Sequence, residues 1–235
     1  MGKSESKIVA KEIYKDLLSP SVKEIGDLLK NSVKVARFAF AGIDYLAAKH
    51  DRWKAFLEKV AGKVKEENLV EGHPQLVGPI IESMVYIENE SIIGEMFSNL
   101  LAKAIDKTTQ DKAHPAFPKI IQQLSEDEAI ILFYLKRQSY RVEQEWDYVN
   151  NQIINLRTTK EEFPLNKLSF PDKIWMYMDH LNSLTIAGTW KTQNDLPIRN
   201  ATGMQIGGRV ISDRKLSEFG KLFAEASIPD VFESL

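Results

Sequence analysis

Apolar residues recur at three- and four-residue intervals along most of this chain, the spacing of amphipathic helices. In Ser4–Leu18, Ile8, Val9, Ile13 and Leu17 follow that spacing, and Pro20 ends the segment. A longer stretch, Val22–Ala48, carries the pattern through Ile25, Leu28, Leu29, Val33, Ala36, Phe40, Ile43 and Ala47, with Gly26 and Gly42 as points where it can bend. A third helix is predicted over Asp51–Glu66, which groups Trp53, Phe56, Leu57, Val60 and Val64. Glu67–Pro74 breaks the pattern and holds Gly72 and Pro74, so a linker is predicted near residue 70.

Helices are then predicted over Gln75–Val85 and Glu90–Lys107, followed by a polar loop and the proline-pinned HPAFPKII. Ser125, with Glu128 three positions on, is a capping-box signal before the apolar run Ala129–Leu135. Val142, Trp146, Val149 and Ile153 fit a further helix, Leu156–Leu168 reads as loop, and Pro171–Asn182 as helix. LTIAGTW (184–190) reads as a strand, the glycine-rich segment 191–208 as a hairpin loop, Arg209–Ile211 as the returning strand, and Ser212 as the cap of a last helix. The predicted fold is mainly α. An extended amphipathic helical region, 1–70, precedes a compact helical domain, 71–235, that is winged-helix-like with a two-stranded β-hairpin at 184–211.

Composition narrows the chemistry. Among 235 residues there is no cysteine, which excludes disulfides, thiol nucleophiles and cysteine-built metal centres. The net charge of −2 hides an asymmetry: residues 1–66 carry +5 and residues 67–235 carry −7. The basic N-terminal part suits an anionic surface or an acidic partner. No signal-peptide pattern and no unbroken apolar span are present, which predicts a cytoplasmic protein, peripheral at the inner membrane at most.

The sharpest binding candidate is VKVARFAFAGIDYLAA (33–48), where Lys34 and Arg37 adjoin Phe38, Phe40, Ile43 and Tyr45. Such a segment suits a protein partner, self-association or an anionic membrane. Arg199, Arg209 and Arg214 on and beside the predicted wing are candidates for a nucleic-acid backbone, a weaker reading than protein contact. Asp106, Asp111 and His114 could hold a metal, but their spacing is not diagnostic, and Asp106 with His114 is read as a loop clamp. Ser125, Asp127 and Glu128 are read as capping residues. No GxSxG, GxxxxGK[ST] or GxGxxG motif occurs, so no catalytic residue, cofactor site or metal site is assigned.

Several phrases carry a family resemblance. They are YKDLLSP (14–20), IGDLLK (25–30), HPQLVGPIIESMVYI (73–87), FSNLLAKAIDKTTQDKAHPAFPKIIQQLSEDEAIIL (97–132) and ISDRKLSEFGKLFAEA (211–226). Together they resemble the abortive infection alpha family. The specific part joins Phe97, Asn99, Leu100, Leu101 and Ala102 to Asp106, Lys107, His114, Pro115 and Phe117, and then to Ile120, Ile121, Leu124, Ser125, Asp127, Glu128 and Ala129. Leu216, Gly220, Phe223 and Ala226 fit the family's ending. The resemblance implies a bacterial or prophage context and a role in defence against phage, and brings no catalytic set; the expected function is non-enzymatic. The expectation is a protein that acts through contacts of its N-terminal helices. A nucleic-acid-binding regulator and a metal-dependent enzyme stand as alternatives.

Overall fold

The computed structural model describes residues 20–29, 43–84, 86–88 and 90–232. They form two compact units: one from the described residues of 1–124 with 229–235, the other from Ser125 to Ile228. Residue 70 lies inside the first unit. The segment read as a linker is tied there, with Val70 N donating to Ile105 O at 2.9 Å and Lys107 N to Asn68 O at 3.0 Å.

The first unit is helical. α1 (Pro20–Leu28) packs on α2 (Ile43–Ala61), and α2 on α4 (Ile92–Ala104). α3 (Pro74–Ser83) and the short α5 (Phe117–Ile121) pack on α4 as well. α4 is the hub because its apolar positions run round most of its surface: Met96, Phe97, Leu100, Leu101 and Ala104 are fully buried. Its start is fixed by Ser91, whose hydroxyl accepts from Gly94 N at 3.0 Å. α2 runs without a break where two helices were predicted, since nothing between 43 and 61 is a glycine or proline.

The second unit corrects the predicted fold class. It is not mainly α, nor winged-helix-like with a two-stranded hairpin at 184–211. It is built on a five-stranded antiparallel sheet, in which residues 152–161, 140–149, 205–216 and 187–191 lie side by side in that order and 196–199 also pairs with 205–216. After α6 (Glu126–Leu135) come β1 (Tyr140–Val149) and β2 (Gln152–Glu161), in place of the predicted helix and loop. Asn150 and Asn151 join them, both in the left-handed region at φ 50° and 60°, which asparagine tolerates better than most residues. α7 (Ile174–Ser183) follows, then β3 (Ala187–Lys191), β4 (Leu196–Arg199), β5 (Gln205–Leu216) and α8 (Glu218–Ser227).

The helices of this unit pack on the face that carries Tyr140, Val142, Ala187 and Leu216, all buried. α8 sits so close to the turn before β3 that a β-carbon at Gly220 would meet Ile186 O at 1.7 Å, so only glycine fits. Ser217 caps α8 through Gly220 N at 2.9 Å, the position predicted for Ser212, which instead lies within β5.

Candidate functional site

β1 alternates strictly. Tyr140, Val142, Gln144, Trp146 and Tyr148 face one way, and Arg141, Glu143, Glu145, Asp147 and Val149 the other. The first set begins under the helices and ends in solvent. Trp146 is buried, but Tyr148 beyond it is 41% exposed. Tyr148 pairs with Ile153 of β2, which is 62% exposed. The β1–β5 register ends at the Asp147–Gly207 pair, and the next residue of β5, Ile206, is 42% exposed. Ile153, Tyr148 and Ile206 thus put exposed apolar side chains on three neighbouring strands.

One row further in, Trp146 pairs with Gly208, which pairs with Pro197 of β4, while Leu156 lies across a bulge from Trp146 and is itself exposed. The Trp146 and Tyr148 rings meet edge-on at 6.2 Å. A β-carbon at Gly208 would touch the Trp146 indole at 2.4 Å, so that glycine is what lets the ring lie against the sheet.

Two windows at this end of the sheet carry no charge, flanked by Asp147 and Arg199. YVNNQIINL (148–156) and NATGMQIGG (200–208) hold no ionisable side chain other than the Tyr148 phenol, in a chain with 27% charged residues. The opposite face of the sheet differs. There Arg157 reaches Glu145 at 3.3 Å and Asp147 at 3.1 Å, Arg209 reaches Glu145 at 2.8 Å, and Arg141 meets Asp213 at 3.9 Å. The hydrogen bond from Arg209 holds the Glu145 carboxyl below its ordinary range, and hydrogen bonds from Asn155 and then Arg157 do the same for Asp147. One face thus carries an ion ladder with Val149 and Ile154 exposed beyond it, and the other ends in bare apolar surface.

β2 is the outer strand, exposed on both faces nearly throughout. Two irregularities break its register with β1, one at Asn155 with φ 50°, and Arg157 and Lys160 add charge. Bulges and edge cations blunt an edge against strand addition. The side-chain row, rather than the backbone edge, is therefore the surface suited to contact.

The residues singled out from sequence scatter. Lys34, Arg37, Phe38 and Phe40 lie outside the described residues, and Ile43 and Tyr45 fall in the first turn of α2. The three arginines do not share a surface. Arg199 is exposed and donates to Gly203 O at 2.8 Å, Arg209 is engaged by Glu145, and Arg214 is fully buried. Asp106 accepts from Thr108 N at 2.8 Å and from its hydroxyl at 2.6 Å, and His114 Nδ1 accepts from Ala116 N at 3.1 Å. Each holds its own loop. Asp111 sits in a single turn at Gln110–Lys112. Among the described residues, no three His, Asp or Glu side chains are grouped to hold a metal ion.

Ser125 and Glu128 form a reciprocal capping box at the start of α6. Glu128 also meets His180 Nδ1 of α7 at 2.5 Å. Asp127 is buried and accepts from Ser169 N at 2.8 Å, Phe170 N at 3.0 Å and the Tyr177 hydroxyl at 2.9 Å. Every Asp127 contact holds neighbouring structure, so the cluster orders the α6–α7 region. Sequence reasoning passed over Tyr148, Ile153, Leu156 and Ile206. Their signal was the pair of charge-free windows.

The family model described as abortive infection alpha matches residues 48–227. The chain belongs to the abortive infection alpha family. That match spans nearly all of the described structure, including the sheet, and the family's name ties it to abortive infection. No curated protein and no solved structure matches the chain. No helix among the described residues is long and apolar enough to cross a membrane.

Proposed function

We propose that this abortive infection alpha protein works in the cytoplasm without catalysis, by protein–protein contact. The contact surface in the second unit is the apolar end of the sheet, and its occupant is a second copy of the chain. The observation that carries this reading is the set of solvent-exposed apolar residues Ile153, Tyr148 and Ile206 on three neighbouring strands, next to two turns that carry no charge. Apolar surface left in water is costly, at about 25 cal/mol per Å². Turns without charge meet their own copies with little like-charge repulsion, which suits a two-fold, self-matching interface.

The test is the solution mass of the full chain across a wide concentration range at low and high salt. The expected result is a mass that rises to two chains and does not respond to salt. Ile153→Lys combined with Leu156→Lys returns it to one chain with the circular dichroism spectrum unchanged. A single-chain mass at every concentration overturns the reading.

A second reading rests on the +5 charge of residues 1–66 and the aromatic segment 33–48. In it, Lys34, Arg37, Phe38, Phe40, Ile43 and Tyr45 bind an anionic bilayer peripherally. Flotation with anionic vesicles tests it, and absence of binding at low salt removes it. Salt separates the two readings, since only this one weakens as ionic strength rises.

A further inference from the structure

Asp127 and Glu128 are adjacent buried carboxylates, and no lysine or arginine among the described residues reaches either of them. Neutral donors satisfy Asp127. Glu128 differs, because one of its partners is a histidine. Its Oε2 accepts from Ser125 N and from the Ser125 hydroxyl, both at 2.8 Å, and its Oε1 meets His180 Nδ1 at 2.5 Å. An ionised carboxylate only accepts, so Nδ1 carries the proton and donates it. That fixes the tautomer: in the neutral ring the free lone pair is on Nε2, the nitrogen that Glu128 does not hold. A carboxylate behind one ring nitrogen is also the usual support of an imidazole that binds a metal through the other.

His180 is open to solvent. Its side chain is 37% exposed, and the bond to Glu128 is its one side-chain hydrogen bond among the described residues. Met176 stands four positions earlier on the same side of α7 and is 55% exposed, while Ile174, Tyr177, Met178 and Leu181 turn inward and are buried. Side chains four apart on a helix are neighbours, with β-carbons about 5–6 Å apart. Lys173, three positions before Met176, is drawn off to the Phe170 ring at 4.5 Å. A thioether and an imidazole therefore share one accessible helix face, and the imidazole is already oriented.

We infer that Met176 Sδ and His180 Nε2 form a surface site for a soft monovalent metal ion, copper(I). Thioether sulfur selects soft ions, and copper(I) accepts a pair of ligands where zinc takes a full tetrahedral set. The charge balance points the same way. Beside a neutral imidazole, Glu128 carries one buried negative charge that no cationic side chain answers, and a monovalent cation on Nε2 cancels it. His180 also lies in the last turn of α7, where the carbonyl end of the helix favours a cation. The inference does not depend on the self-association reading.

The test titrates the full chain with silver(I), a redox-stable stand-in for copper(I), in chloride-free buffer at neutral pH, with zinc(II) as a separate arm. Calorimetry reads the affinity, and NMR follows the Met176 methyl group and the His180 ring. The expected result is a silver(I) site that shifts both resonances and that equal zinc(II) does not displace. Met176→Leu conserves volume at an exposed position, so it keeps the circular dichroism spectrum and abolishes that site. His180→Gln abolishes it too, and Glu128→Gln, which removes the charge behind the ring, weakens it about 10–100-fold. Met204→Leu, at the other exposed methionine among the described residues, leaves it unchanged. If Glu128→Gln does not fold, Met176→Leu decides. Absence of silver(I) binding overturns the inference. Binding that survives Met176→Leu, or that zinc(II) matches, overturns it as well and assigns the contact to the imidazole alone.

Discussion

Tyr177 offers a test of the α6–α7 region with a distinct pH signature. Its hydroxyl donates to Asp127 Oδ2 at 2.9 Å, and the residue is 5% exposed. Burial first, then the hydrogen bond to Asp127 and the charge of that carboxylate, push its pKa from 10.0 up to about 12. The folded state therefore holds the phenolic proton more tightly than the unfolded chain does. The associated stability is fully present below pH 10, the unfolded value, and is lost as pH rises toward the folded value of about 12. A rise of that size is worth about 2–3 kcal/mol at most across the window. Tyr177→Phe removes the hydroxyl. At neutral pH it loses a hydrogen bond to a charged acceptor, about 1.5–3 kcal/mol. Its stability is then flat where the wild type falls, so the two proteins converge in alkali. Urea unfolding at stepped alkaline pH reads this directly. Trp146, Trp175 and Trp190 all lie in the second unit, so tryptophan emission reports mainly on it. Tyrosinate absorbance provides an independent readout, with Tyr177 titrating late. The reasoning fails if Tyr177→Phe loses stability above pH 10 as steeply as the wild type.

Two further substitutions probe the positions that shape the second unit. Ser125→Ala removes the acceptor for Glu128 N and a hydroxyl that donates to Glu128 Oε2 at 2.8 Å; it should cost about 1 kcal/mol, read as a lower urea midpoint for the second unit. Gly208→Ala puts a methyl group 2.4 Å from the Trp146 indole and should cost about 1–3 kcal/mol, with a red shift in tryptophan emission as the ring is displaced.

The helical first unit was legible because its signal is local. Leu100, Leu101 and Ala104 recur at helical spacing, and the structure buries all three completely. The β1–β2 hairpin was misread although its pattern was present. Val142, Trp146, Val149 and Ile153 are spaced four, three and four apart, as in a helix, yet Arg141, Glu143, Glu145 and Asp147 occupy every second position between residues that face the other way. The two periods compete over this window, and Asn150–Asn151 settles it by supplying two left-handed residues for a tight turn. The capping box was readable because its two residues are three apart. The role of Asp127 was not, since its partners Ser169, Phe170 and Tyr177 lie 42, 43 and 50 residues further on.

The exposed apolar row follows from the lengths of the elements, which no single window of sequence displays. α6, α7 and α8 have ten residues each, so each is about 15 Å long. β1 has ten residues and β5 twelve, about 33–40 Å of strand. A helix of that length laid along such a strand covers less than half of it. Chain economy alone would predict polar residues on the uncovered part, and along the middle of the opposite face this sequence supplies them as the ion ladder. On the helix-bearing face it does not: past Trp146 come Tyr148, Ile153 and Ile206, with no charge among their neighbours in either turn. Past the reach of the helices the exposed side chains are apolar on both sides of the sheet, Tyr148 and Ile153 on one and Val149 and Ile154 on the other, and such a concentration has the composition of an interface core. That concentration is why the sheet end, and not the bulged edge strand beside it, is the surface to mutate first.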